Sequence, residues 1–215
     1  MKGITICVVI SVLILGIMGC GDEGGPTEPV PEVIKGLSGD TYFNTKFGVK
    51  ISDLPVDIWT VKALGSEGQG LREQVEEAYI PMYHLLLMEP VPADQFVSLG
   101  EKGGLDPVLE AGIPFIWVGL DYQKGGNYET HNLTENLNWY AVQHYAEIES
   151  KKFVNIGNAT GIQAVLLRSF GKEALTWFAK GEICVRCEYI AKESEFDKYF
   201  DVYIRVVENV WLMGK

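Results

Sequence analysis

The chain has 215 residues, with 18 Lys or Arg against 29 Asp or Glu and a formal net charge of −11 at pH 7. That balance excludes a nucleic acid as the natural partner, because no run of basic residues interleaved with aromatics offers a local exception, and it disfavours electrostatic attachment to an anionic membrane surface. The cysteines at positions 7, 20, 184 and 187 supply no disulfide framework.

The first twenty residues read as an address. Lys2 precedes an apolar run over residues 4–15, Gly19 stands before Cys20, and the composition then turns polar. A charged start, an apolar stretch of about 7–15 residues and a small residue before the cut make a secretory signal. The run is shorter than the about 20 apolar residues a spanning helix needs, and no positive cluster follows it. The quartet Ile17-Met18-Gly19-Cys20 resembles the lipobox of bacterial lipoproteins. That resemblance implies cleavage between Gly19 and Cys20 and acylation of Cys20 with diacylglycerol and a palmitate-type chain. Each buried methylene contributes about 0.8 kcal/mol, so two or three chains hold a protein on a bilayer where one binds marginally. Residues 21–32, GDEGGPTEPVPE, carry no apolar periodicity and read as a flexible tether. The expected organisation is a signal peptide over 1–19, the lipidated cysteine and tether over 20–32, and one folded domain over 33–215. Loss of the signal takes one lysine with it, so 17 basic residues then face 29 acidic ones.

From Thr41 the pattern turns strand-like. Tyr42-Phe43-Asn44 leads into a turn at Asn44-Thr45-Lys46, after which Phe47, Val49 and Ile51 alternate with Gly48, Lys50 and Ser52. Period 2 predicts a strand with one buried face. Asp53-Leu54-Pro55 breaks the run, and residues 59–63 resume it. Gly65, Gly68 and Gly70 mark a loop, and residues 71–79 a short acidic helix. Residues 83–91 read as an apolar strand, and 94–112 as an excursion broken by glycines and Pro107. Residues 113–122 read as a strand covered on both faces. Asn132, with Glu135 three residues later, predicts a capped helix whose buried face holds Leu133, Leu137, Tyr140, Ala141, His144 and Ile148. Strands follow over 153–156, 161–170, 174–179 and 182–191, with turns at Gly157-Asn158 and Lys180-Gly181. Ser194 and Asp197 predict the N-cap of a last helix with an apolar stripe through Phe196, Tyr199, Phe200, Tyr203, Val207, Val210 and Trp211. A stripe of that size must dock on a sheet. The order gives an α+β fold, a central antiparallel sheet flanked by helices.

The stretch from Tyr42 through Asn44, Phe47-Gly48, Ile51 and Pro55 to Trp59 resembles the opening of PsbP-like (Mog1/PsbP fold) domains, and Phe178 to Ala191 followed by Phe196 and the last helix is similar to their close. The two stretches cover about a third of the folded chain. The resemblance implies an α/β/α sandwich and a binding or assembly role without a catalytic apparatus. It carries over a scaffold: Phe47, Val49, Ile51 and Trp59 as core, Gly48 and Pro55 as turn-setters.

Candidate chemistry is sparse. The Gly65-x-x-Gly68-x-Gly70 loop lacks the third glycine of a dinucleotide fingerprint, where Glu73 stands, and the Gly-Lys-Ser/Thr of a P-loop, where Gly70-Leu71-Arg72 stands. Cys184-x-x-Cys187 with His131 and His144 has the donor types of a zinc site. On a strand, however, residues three apart face opposite ways, which places Cys187 inside with Val185 and Tyr189 and Cys184 beside Arg186 and Glu188. His144 on the apolar helix face is expected to be a hydrogen-bonded core histidine. No hydrolase or metal-enzyme motif occurs, so no catalytic residue, metal or cofactor is assigned. The expected function is therefore a non-catalytic binding or assembly module, lipid-anchored in the cell envelope on the periplasmic or extracellular side, with an envelope protein as partner. The alternative is an envelope small-ligand receptor or enzyme with a pocket near residues 94–131, lined by Trp117, Tyr122 and Tyr128.

Overall fold

Asn44 shows how the first turn closes. Its Oδ1 accepts from the Phe47 backbone N–H at 3.4 Å while its Nδ2 donates to the Tyr42 hydroxyl at 3.3 Å, so one buried amide ties the turn back to the strand that enters it. The computed structural model describes residues 35–64, 82–90, 111–123, 125–130 and 132–213, all within the unit Val33–Lys215. The signal sequence, Cys20 and the tether, the loop and helix predicted over 65–79, most of the 94–112 excursion, and His131 lie outside the described residues.

The described strands form two antiparallel sheets. The smaller contains β1 (Lys35–Ser38), β2 (Thr41–Asn44), β3 (Val49–Ile51) and β11 (Val210–Leu212), in that order. The larger runs β4-β5-β6-β10-β9-β8-β7, built from Thr60–Ala63, Met82–Glu89, Phe115–Tyr122, Ile183–Ala191, Gly171–Lys180, Ala159–Arg168 and Glu147–Ile156 respectively. Two helices of three or more turns are described, α1 (Leu133–Gln143) and α2 (Glu193–Glu208). None of the described helices is long and apolar enough to cross a membrane.

Alternation sorts the side chains of the large sheet onto two faces. One carries Leu86, Met88, Ile116, Val118, Leu120, Val185, Cys187, Tyr189 and Phe178, and packs in one core with Tyr42, Val49, Ile51, Val210 and Leu212 of the small sheet and Phe196, Tyr203, Val206 and Val207 of α2. The other carries Ile162, Ala164, Leu166, Leu175, Trp177 and Cys184 and is capped by Leu137, Tyr140 and Ala141 of α1. Each large apolar side chain so buried contributes roughly 1.5–3 kcal/mol. The molecule is thus mostly antiparallel sheet with helices, and richer in strand than the expected α/β/α sandwich, because a second sheet shares one face with α2.

Three local expectations are corrected. The Asn132 cap is present, its side chain accepting from Glu135 N at 3.2 Å, but α1 stops at Gln143; His144 is the C-cap, Tyr145 takes a φ of 50°, and Ile148 belongs to β7. The last helix begins one residue earlier than Ser194, after Lys192, with no side-chain cap, so Ser194 and Asp197 lie within it. It also ends at Glu208, where the Asn209 side chain donates to Arg205 O at 2.9 Å, and Val210 and Trp211 continue as a strand that pairs with β3.

Candidate functional site

Strand β10 carries the most concentrated chemistry. Its register sets Cys184 opposite Asp121, Arg186 opposite Gly119 and Glu188 opposite Trp117 on β6, all on the face that α1 helps to cover. Gly119 leaves room for the Trp117 indole, since a Cβ there would lie 2.1 Å from its ring. The indole folds over the glycine, and the Arg186 guanidinium stands 5.5 Å from its centroid. Arg186 also pairs with Asp121, Nε to Oδ2 at 3.3 Å, and with Glu188, Nη1 to Oε1 at 3.7 Å.

A second pair lies one strand over. Glu173 on β9 is fully buried and pairs with Arg168 of β8 through its Oε2, while its Oε1 accepts from the Tyr140 hydroxyl of α1 at 2.8 Å. Arg168 reaches on to His144 Nδ1 at 3.4 Å, and the His144 ring sits 4.2 Å from that of Tyr140. Two guanidiniums and three carboxylates thus form a row across β6, β10, β9 and β8, with Tyr140 and His144 above it.

Burial sets the electrostatics of the row. It pushes the Glu188 carboxyl up to about 7 against the pull of Arg186, and it raises Asp121, again opposed by Arg186. Partial covering of the ring, and then the neighbouring Arg168, lower the His144 imidazole, favouring its neutral form. The Tyr140 phenol is raised by burial and then by Glu188 and Glu173, so it stays a donor. Burial, then Asp121, raises the Cys184 thiol to about 12, and burial, then Glu188, raises Cys187 further. Neither thiol is a nucleophile at neutral pH.

The second feature is a cavity of about 520 Å³ at one end of the two sheets. Phe47, Tyr122, Ile183 and Leu212 make its apolar walls, and Lys46, Lys180, Glu129 and Glu182 its polar ones. The Phe47 and Tyr122 rings meet at 5.5 Å, and Lys46 Nζ lies 5.2 Å from the Phe47 centroid. Glu182 Oε1 accepts from the Gly125 N–H at 2.7 Å, and Lys180 Nζ donates to Asn158 O at 3.2 Å.

Against this geometry the sequence candidates separate. Cys187 lies in the core with Val185 and Tyr189, and Cys184 on the opposite face with Arg186 and Glu188, as alternation requires. Both thiols are buried and free. His144 is an exposed helix cap bonded to Arg168, not a core residue. Among the described residues no group of three or more His, Cys, Asp or Glu could hold a metal. Trp117 and Tyr122 are five apart on β6 and face opposite ways: Trp117 stacks with Arg186, Tyr122 lines the cavity, and Tyr128 packs in the α1 core. The three expected lining aromatics do not share one wall. The charged row escapes a reading of the sequence, although a signal for it exists: Arg186 and Glu188 alternate with Val185 and Cys187 on a strand whose two faces both have helices to receive them.

No protein-family model matches the chain, and no curated protein matches it. It is similar to a solved structure titled the solution structure of cyanobacterial PsbP (CyanoP) from Synechocystis sp. PCC 6803, with a TM-score of 0.48 and 9% sequence identity, covering 87% of this chain and 99% of that one. A likeness of that degree assigns no function.

Proposed function

We propose that the protein is a non-catalytic binding or assembly module of the cell envelope, built on a PsbP-like domain and anchored by lipid at Cys20 on the periplasmic or extracellular side of a membrane. The observation that carries this reading is the Ile17-Met18-Gly19-Cys20 quartet followed by twelve residues without apolar periodicity. Fifteen positions separate Cys20 from Lys35, so the domain stays within about 50 Å of the bilayer even with the chain fully extended. Two features support binding over catalysis. The ionisable groups of the charged row are engaged with one another. By contrast, α1 and the turn after it present Trp139, Val142 and Tyr145 to solvent at 65%, 70% and 95% exposure, a composition suited to the centre of a protein interface.

The anchor and the partner are tested separately. Cys20→Ala should move the protein from the membrane to the soluble fraction, and unchanged retention would contradict lipidation. A photo-crosslinking residue at Trp139 in intact cells should give a discrete adduct that Val142→Glu with Tyr145→Glu abolishes. If no adduct rises above background, the partner claim is lost.

A further inference from the structure

The cavity at the end of the sheets is built from both of them. Lys46 and Phe47 come from the turn between β2 and β3, Leu212 from β11, and Lys180, Ile183 and Tyr122 from the ends of β9, β10 and β6. Its volume of about 520 Å³ falls within the about 300–1,000 Å³ typical of small-molecule sites, and its apolar walls are joined by four charged side chains. In an acidic chain the cavity is lined by two lysines that are 134 positions apart, one from the β2–β3 turn and one from the end of β9. Of its two carboxylates, Glu182 is turned to the Gly125 amide, and Glu129 is exposed at the rim. Lys180 gives one donor to Asn158 O, and an ammonium has three.

We propose that this cavity binds a small amphiphilic anion, a single alkyl or aryl tail bearing one carboxylate. The tail lies against Phe47, Tyr122, Ile183 and Leu212, where it leaves water, and the carboxylate sits between the ammonium groups of Lys46 and Lys180 in a charge-assisted contact. A neutral or cationic amphiphile of the same length would forgo that contact. It uses no residue of the lipid anchor or of the α1 surface, so it is judged independently of both.

The test is photo-labelling of the full chain carrying Cys20→Ala with a twelve-carbon carboxylate that bears a diazirine in its tail. Labelling should saturate, map to the peptides holding Phe47, Tyr122 or Met213, and be competed by decanoate but not by decyltrimethylammonium. Lys46→Glu with Lys180→Glu should lower it at least fivefold at an unchanged melting temperature. Met213→Trp, which narrows the rim without touching either lysine, should lower it as well. Labelling scattered over the surface, equal competition by the cationic amphiphile, or undiminished labelling of the double variant would overturn the assignment.

Discussion

At the scale of single residues, the molecule places polar groups where water cannot reach them and meets most of their needs internally. Beneath α2, Gln163 Nε2 donates to Thr176 Oγ1 at 3.0 Å, Thr176 shares a hydrogen bond with the Tyr203 hydroxyl, and that hydroxyl donates to Cys187 O at 3.2 Å. Tyr203→Phe keeps the ring packing and takes one buried partner from Thr176 Oγ1 and from Cys187 O, so it should cost about 1–3 kcal/mol in urea denaturation. Glu188 is less fully compensated, and its raised folded pKa has a definite sign. Between its ordinary carboxylate range and about pH 7 the folded state holds a proton that the unfolded state has released, so stability falls as pH rises through that window. Asp121 acts in the same direction, and His144, with its lowered imidazole, in the opposite one. Melting temperatures from pH 5 to 8 should therefore decline more steeply for the wild type than for Glu188→Gln, and parallel curves would refute the buried-acid reading. Gly48 shows a different constraint. It holds a φ of +65°, and a Cβ there would meet Met213 O at 2.3 Å, where Met213 N in turn donates to Gly48 O at 2.6 Å. Gly48→Ala should cost about 1–2 kcal/mol from the backbone alone, and more from displacing the cavity rim.

At the scale of elements, β10 and β7 make opposite cases. Strand β10 has neighbours on both edges and cover on both faces, so a Cys-x-x-Cys pattern that suggests metal or redox chemistry becomes two inert core residues. In native protein, alkylation mapped by peptide mass should leave Cys184 and Cys187 unmodified, and both should react once denaturant is added. Reaction of either thiol in the folded state would show that a face opens. Strand β7 is the outer strand of the large sheet and ten residues long, the kind of edge that invites pairing with another chain. It is defended by a register irregularity between Ile148 and Ser150 and by exposed Lys151 and Lys152. Lys151→Val with Lys152→Val should raise self-association in light scattering while leaving the fold intact. The tie between the β3–β4 loop and α2 is equally local: Arg205 grips Asp53 through Nε and Nη2 at 3.0 and 2.7 Å and Asp57 through Nη1 at 3.1 Å.

For the whole molecule, what can be read in advance is whatever repeats locally. Period 2 tells the two faces of β10 apart without any knowledge of contacts, and Asn132 announces the start of α1. The ends of the helices mislead for one physical reason. Ile148 stands four residues after His144, and Val210 and Trp211 stand three and four after Val207, so helical spacing runs on across the Tyr145 and Asn209 turns although the backbone does not. Strand order is also hidden, because pairing β6 with β10 or β3 with β11 depends on which distant apolar faces fit together. The cavity is hidden for the same reason, since neither Lys46 nor Lys180 has a neighbour in sequence that marks it.

The pairing of Ile51 with Val210 joins residues 159 positions apart. A chain that leaves a narrow channel N-terminus first therefore emerges with Tyr42, Val49 and Ile51 already outside while the strand that completes their sheet is still inside. Until Leu212 clears the exit, that sheet has an open side and α2 has no finished floor, so the earliest strands to appear are the last to be sealed. Loop closure over such a span is slow relative to the hairpins of β7 to β10. Pulsed hydrogen exchange during refolding should show amides of β8 and β9 protected before those of β3. The interval between the two is the time for which the domain offers a sticky edge to any chaperone stationed at the exit.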